Sequence, residues 1–391
     1  SMYPPEGNPL WEDYSTIVVA STLKSYARMS FDYPYHKAIS VHAKGQGMEY
    51  PMICWNYGRP DKEGNYSERI KYGMMSVIIH EVGHNYFPMI VNSDERQWTW
   101  MDEGLNTFVQ YVAEQDFGEW YPDAIAPNKA YPSRRGPAKN IISYMAGDQD
   151  AIAPIMTKGL NTYNFGANAY SKPATGLNIL RETIMGRDLF DHAFRTYSKR
   201  WMFKHPTPED FFRTMEDASA IDLDWFWRGW FYTTDHCDVA ITDVKEYRVN
   251  FNEPKEGTSS KKARKMVKKQ EKKGSFDPIL QSVAYAKDPA AAYEKVKGSI
   301  TDTRQSKLNE DAYFYQVDLE MIGGLVMPVI LKLEYADGTS EEVRIPAEIW
   351  KMQNEQLQET VSKVLVTEKP VAKIVLDPNL ETADTDTSNN E

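Results

Sequence analysis

The sequence predicts an α+β multidomain chain, with a mostly helical domain over residues 1–236 and an antiparallel β-sandwich over 237–391. Three observations carry this expectation. Long amphipathic stretches dominate from Trp11 to about Asp235, alternating strand patterns dominate toward the C-terminus, and composition shifts abruptly between them. A length of 391 residues accommodates two domains, and 41% hydrophobic with 13% aromatic residues suits packed cores.

Taken in order, the first exception to helix is a strand pair, "KAISVHAKG" and "MEYPMICWNYG", bounded by glycine and by "RPDKEGN". A helix then starts near Ser67, with Ile70, Met74, Val77, Ile78 and Val82 at helical spacing. A second amphipathic helix begins in "WTWMDEGLNTFVQYVAEQ", where Leu105, Phe108, Val109 and Val112 form the stripe. The aromatic run Asp222 to Thr234 reads as buried helix packing rather than a ligand-stacking surface. Between Lys255 and Lys273 lie nine basic and two acidic residues without interleaved aromatics, which reads as a basic flexible segment near 253–277. An alanine-rich piece, "DPAAAYEKVKG", reads as helical. The strands "AYFYQVDLEM", "VMPVILKLEYADG", "SEEVRIPAEIW" and "KVLVTEKPVAKIVLD" come next, with "ADG" as a hairpin turn and a polar tail expected to fray.

Composition also excludes some classes. A net charge of -11 argues against nucleic acid as a partner. No apolar run reaches the roughly 18 residues of a transmembrane helix. Two cysteines exclude a disulfide scaffold and a Cys-ligated zinc module. Ser1-Met2 reads as a cloning remnant, so a natural signal or an upstream domain is expected to have been cut away; the compartment is left open, with an extracytoplasmic (periplasmic or secreted) one favoured.

The chemistry concentrates in "HEVGHNYF". His80 and His84 are four residues apart and project from one helix face, where two neutral imidazoles can share one Zn²⁺. Glu81 between them can reach a water at the metal. Histidines at this spacing also serve packing or solubility, so a third ligand decides. Phe87 and Ile90 stand where metzincins carry Gly and His, which excludes that class. Glu103 follows His84 after eighteen residues, in the first turn of the second helix, enough chain to loop back beside the imidazoles. Two histidines and one glutamate leave a coordination position open, as a catalytic zinc requires. Zinc hydrolysis of this type uses Glu81 as proton acceptor and needs a further hydrogen-bond donor for the developing oxyanion.

These motifs resemble the aminopeptidase N family of gluzincin zinc metallopeptidases. That family pairs HExxH with a glutamate eighteen residues on in an Asn-Glu-Gly-like context, and "MDEG" matches with Asp102 for Asn. Its Gly-x-Met-Glu-Asn strand motif is similar to "QGMEY", with Gln46 and Tyr50 as departures, and its Tyr-x-Lys segment is similar to "AYSKPATGLNIL". The resemblance implies a thermolysin-like zincin catalytic domain with one Zn²⁺ per chain, held by His80, His84 and Glu103. It implies Glu81 as base, Tyr170 as transition-state donor, and Gly47, Met48 and Glu49 as substrate-binding residues, with Glu49 on an edge strand taking the substrate's free α-amino group. The C-terminal strands resemble the sandwich that follows this domain in the family. The family's N-terminal β-domain, expected to complete the cleft, is missing from this chain.

The expected function is removal of N-terminal residues from peptides with a free amine. A thermolysin-like endopeptidase, which has no need of Glu49, and a catalytically weak scaffold on the same fold are the alternatives. The scaffold requires loss of a ligand or of the base, and none is lost.

Overall fold

Helices dominate the first 237 residues and strands most of the remainder, in a computed structural model that describes residues 1–125, 129–158, 163–249, 260–273, 275–276, 278–288, 291–292, 312–351 and 357–391. Contacts divide the chain into two units. Unit 1 comprises Ser1–Cys237, Gly324–Val326 and Leu380–Thr385, and unit 2 comprises Asp238–Gly323, Met327–Asn379 and Asp386–Glu391. The division is therefore not a single cut: two later segments return to unit 1. Among the described residues, no helix is long and apolar enough to cross a membrane.

In unit 1, α1 (Leu10–Met29) leads into a small sheet of β1 (Ile39–His42), β2 (Met48–Tyr50) and β3 (Ile53–Asn56), in the order β1-β3-β2. The expected strand pair is thus three strands. Pro51 and Met52 break the second run; Met52 takes a φ of 65°, which turns the chain back so that β2 pairs antiparallel with β3 while β1 pairs parallel. This leaves β2, and Glu49 with it, on the sheet edge.

Helix α2 (Glu68–Gly83) starts at Ser67, whose side chain accepts from the Ile70 amide at 3.3 Å, satisfying one of the otherwise unpaired first-turn donors. The second helix does not begin as an α-helix. Trp100–Gly104 form a π-helical turn ahead of α3 (Leu105–Trp120). After α4 (Ile142–Met145) the same device recurs: Gly166–Ser171 are π-helical ahead of α5 (Lys172–Ile179). Such wide turns hold one more residue than an α-turn and are found mostly at functional sites.

The three longest pieces lock together around Gly83. α1 lies against α2 and α3. The Tyr26 hydroxyl on α1 donates to Asn106 Oδ1 at 2.7 Å, and Asn106 Nδ2 donates to the His80 carbonyl at 2.9 Å. A Cβ on Gly83 would lie 2.2 Å from the Tyr26 oxygen and 2.3 Å from Asn106 Oδ1. Gly83→Ala is therefore expected to destabilise by about 1–3 kcal/mol through overpacking. A thermal midpoint equal to wild type would show that the three helices have room to spare.

α6 (Arg187–Trp201), α7 (Pro208–Ser219) and α8 (Asp224–Tyr232) complete the helical set, and the aromatic run is their interior packing. Phe226, Trp227, Trp230 and Phe231 are buried. Trp227 stacks on Phe212 at 4.6 Å and Phe231 meets Trp100 at 4.8 Å, which clamps the first π-helical turn. Trp230 Nε1 donates to the Lys172 carbonyl at 2.8 Å, which fixes the chain just after the second.

Unit 2 contains β4 (Val239–Val249), α9 (Ser260–Glu271), β5 (Ser275–Phe276), α10 (Pro278–Tyr285), β6 (Tyr313–Met321), β7 (Val329–Tyr335), β8 (Ser340–Ile345), β9 (Thr360–Thr367) and β10 (Val371–Leu376). The strands form two sheets, β5-β4-β6-β9 and β10-β7-β8, antiparallel except for the short β4–β5 pair. The "ADG" turn joins β7 to β8, with Gly338 at a φ of 83°. The run "KVLVTEKPVAKIVLD" proves to be two strands, β9 and β10, in different sheets.

Part of the lysine-rich stretch expected as a flexible segment is helix α9. Its Ala263 and Val267, one turn apart, bury against Leu280 and Ala284 of α10, a small apolar contact sufficient to order it. The rest of that expectation, residues 253–259, 274 and 277, lies outside the described residues, as does most of "DPAAAYEKVKG". The polar tail does not fray as expected. Thr382, Ala383 and Asp384 are buried, and the Thr385 amide donates to the Cys237 carbonyl at 2.9 Å.

Candidate functional site

The last two turns of α2 place His80 and His84 with their Nε2 atoms 3.1 Å apart. What each ring does with its other nitrogen determines what these two atoms are. His80 Nδ1 lies 2.9 Å from Gln110 Oε1, and Gln110 Nε2 donates to Glu114 Oε1 at 2.8 Å, so the amide oxygen must face the ring as acceptor. His84 Nδ1 lies 2.9 Å from the Phe87 carbonyl and 3.1 Å from Asp102 Oδ1, again acceptors only. Both rings therefore keep a proton on Nδ1, and it is the Nε2 atoms that face each other and are left to share a cation.

The π-helical turn before α3 adds a third electron-rich group. Glu103 Oε2 is 3.0 Å from His80 Nε2 and 3.4 Å from His84 Nε2. The other oxygen, Oε1, accepts from the Tyr170 hydroxyl at 2.6 Å, delivered by the second π-helical turn. The ligand atoms of His80, His84 and Glu103 all lie within 4.8 Å of one another. Two imidazole nitrogens and a carboxylate facing inward call for positive charge among them, whether protons or a metal ion, and this donor set suits Zn²⁺.

A second convergence lies beside it. Glu49, Glu81 and His84 also bring ligand atoms within 4.8 Å. Glu81 is 6% exposed and its Oε2 has no hydrogen-bond partner among the described residues. Its Oε1 would be 2.1 Å from a Cβ on Gly47, so any side chain there would have to push this carboxyl aside. Met48 is half-buried and pairs with Trp55 across β2 and β3.

Electrostatics reflect this crowding. Burial pushes the Glu81 carboxyl up to about 8, with Glu49 and Glu103 adding to it. Burial also raises Glu49. Asp102 is pushed up to about 7 by burial, against the pull of His84. For Glu103, burial is outweighed by the hydrogen bonds to His80 and His84, which hold it well below the usual carboxylate range. Burial opposes a charge on His84, but Asp102 and Glu103 prevail and raise it. Burial, then Glu103, raises the Tyr170 phenol far above its ordinary value, so it keeps its proton and remains a donor.

Seven of the eight residues singled out in the sequence thus sit around one locus, and Met48, on β2, lies between two of them, Gly47 and Glu49. Four neighbours were not expected there: Gln110, Asn106, Asp102 as a partner of His84, and Arg135. Gln110 follows Glu103 by seven residues, two helical turns, and that spacing could have found it. Arg135 arrives on a loop, for which no periodicity exists. A cavity of about 630 Å³ opens from this locus, bordered by Gly47, His80, Glu81 and Tyr170 at one end and by the Arg134–Arg135 loop.

Residues 20–230 match the Peptidase family M1 domain. Glutamyl aminopeptidase of Sus scrofa is 23% identical over 176 residues, covering 44% of this chain and 18% of that protein. Aminopeptidase 2 of Candida albicans is 22% identical over 228 residues, covering 57% and 24%. Among solved structures, aminopeptidase A of Legionella pneumophila in complex with aspartic acid aligns with a TM-score of 0.57 at 12% identity, over 98% of this chain and 35% of that one. The chain spans about a fifth to a quarter of the length of these curated relatives.

Proposed function

The chain belongs to peptidase family M1, and from that premise we propose that it is a zinc-dependent aminopeptidase, hydrolysing the N-terminal peptide bond of substrates with a free amine. The observation that carries this is the pair of Nε2 atoms facing the Glu103 carboxylate, with both Nδ1 atoms committed elsewhere. His80, His84 and Glu103 would hold one Zn²⁺, which when bound supplies Lewis-acid polarisation of the peptide carbonyl and acidifies the attacking water.

The remaining roles fall to groups already in place. Glu81, buried beside this centre with an unpaired oxygen, takes the water's proton and passes it to the departing amine. Tyr170 offers its O–H to the oxygen on which charge develops. Glu49 pairs with the substrate ammonium, which fixes the distance from the amine to the bond that breaks, and Gly47 and Met48 carry the backbone against which the substrate lies. In this reading 1–236 is a thermolysin-like catalytic domain and 237–391 a sandwich-like domain around the two sheets. The far greater length of the relatives supports a further N-terminal domain completing the cleft.

Glu49 is the residue that separates this reading from an endopeptidase. A charge-assisted contact contributes about 1.5–3 kcal/mol. Glu49→Gln is therefore expected to lower kcat/KM on free-amine peptides by about 10- to 100-fold and to leave N-acetylated peptides little affected. Wild-type rates equal on the two substrate types, with the ratio unmoved by the mutation, would replace the aminopeptidase with an endopeptidase.

A further inference from the structure

The cavity beyond Glu81 has a direction. Glu49 and His84 lie at the C-terminal end of α2, whereas the cavity wall is built from the preceding turns, including Tyr72, Ser76 and Val77. Glu81 borders the cavity and Glu49 does not. With the substrate amine at Glu49 and the proton delivered at Glu81, the departing fragment faces the cavity.

The far wall is a loop fixed at several points. The Tyr131 hydroxyl is 2.9 Å from Ser76 Oγ, the Ser133 hydroxyl donates to the buried Glu114, and Gln115 Nε2 donates to Ser133 Oγ at 2.9 Å. Gly136, at a φ of 110°, lies so close to Tyr111 that a Cβ would be 2.4 Å from its ring. Between these points Arg135 lays its guanidinium over the Tyr170 ring, 4.5 Å from the centroid. Among the described residues it has no hydrogen bond or ion pair to a carboxylate or carbonyl. Glu103 and Glu114 act on it through space but form no ion pair with it, and the Glu114 oxygens already accept from Gln110 and Ser133. Arg134 and Lys129 border the same space. A half-buried guanidinium with no carboxylate bonded to it among the described residues, one ring away from the reacting centre, is a ready bidentate seat for a carboxylate.

We propose that Arg135 binds a carboxylate on the departing fragment, so that the chain favours short peptides whose C-terminus lies one or two residues beyond the bond that breaks. This rests on the roles given above to Glu81 and Glu49. An extended residue spans only about 3.3–3.6 Å, so longer fragments carry their C-terminus past the loop. An aspartate or glutamate side chain just after the scissile bond presents the same chemistry.

The test compares alanyl-leucine with its C-terminal amide, and alanyl-aspartate amide with alanyl-leucine amide, on the zinc-loaded full chain. A preference of about 10- to 100-fold in kcat/KM for the free acid is expected, falling to near unity in Arg135→Ala and partly restored in Arg135→Lys. A preference for the aspartate amide alone would assign the site to the side chain and overturn the C-terminal source. A second measurement is calorimetric binding of acetyl-leucyl-leucine against its amide, in wild type and Arg135→Ala. Peptides cleaved at equal rates as acid and amide would overturn the carboxylate site and leave the aminopeptidase standing. Arg135-dependent binding of the acid in a chain that cleaves nothing would do the reverse.

Discussion

Glu81→Ala should keep close to one Zn²⁺ per chain and lose hydrolysis by about 10²–10⁴-fold, the range a positioned general base contributes. Glu103→Ala should lose hydrolysis as well, but by releasing the metal. The two carboxyls sit within one locus yet differ in kind. Glu103 is drawn to the imidazoles by contacts of 3.0 and 3.4 Å and is held ionised there. Glu81 makes no such contact, and burial raises its affinity for a proton, the property a base needs in order to accept one. Metal content measured beside peptide turnover separates them. Substantial turnover by Glu81→Ala would remove it as the base. Metal retained by Glu103→Ala would shift the third ligand to Glu49 or Glu81, which also converge on His84.

Tyr170→Phe should lower kcat by about 10²–10³-fold with little change in KM, the mark of a donor used only in the transition state. The phenol stands 2.6 Å from Glu103 Oε1 and its ring lies against His80, so its oxygen is at the centre before substrate arrives. Phenylalanine keeps the ring, and with it the contact to Arg135, and removes only the hydroxyl. An unchanged rate would reduce Tyr170 to a hydrogen-bond partner of Glu103. Tyr163, seven residues earlier, is 62% exposed.

How much of this was legible depends on whether a signal repeats. His80, His84 and Glu103 could be read because one four-residue step on a helix and one loop length fix where their side chains go. Tyr170 could not be selected from 24 tyrosines by any periodicity and came only through its family-like surroundings. β4 was missed because its pairing with β6 shifts register between Ile241 and Asp243, which breaks the alternation that marks a strand. Helix α9 was missed because its buried stripe is only Ala263 and Val267 among lysines. The buried tail was missed for the opposite reason: Thr382 and Asp384 are polar, and hydropathy does not register burial of that kind.

The π-helical turns at Trp100–Gly104 and Gly166–Ser171 make the site peculiarly exposed to one class of genetic lesion. Loss of a single codon usually wrecks a helix packed in a core. Here each turn already holds a surplus residue, and deleting one lets the backbone close into an ordinary α-helix that continues smoothly into α3 or α5. Everything upstream of the deletion then rotates by about 100° relative to the downstream helix. A lesion at Met101 would change the bearing of Trp100 against Glu103, one at Ala169 that of Phe165 against Tyr170. Because Trp100 is clamped against Phe231 and Asn106 of α3 is tied to His80, the rotation would strain this packing as well as turn the carboxylate or the phenol away from the centre. Inactivity out of proportion to the loss of stability is the expected signature of these two positions, since the turned residues include the carboxylate and the phenol themselves.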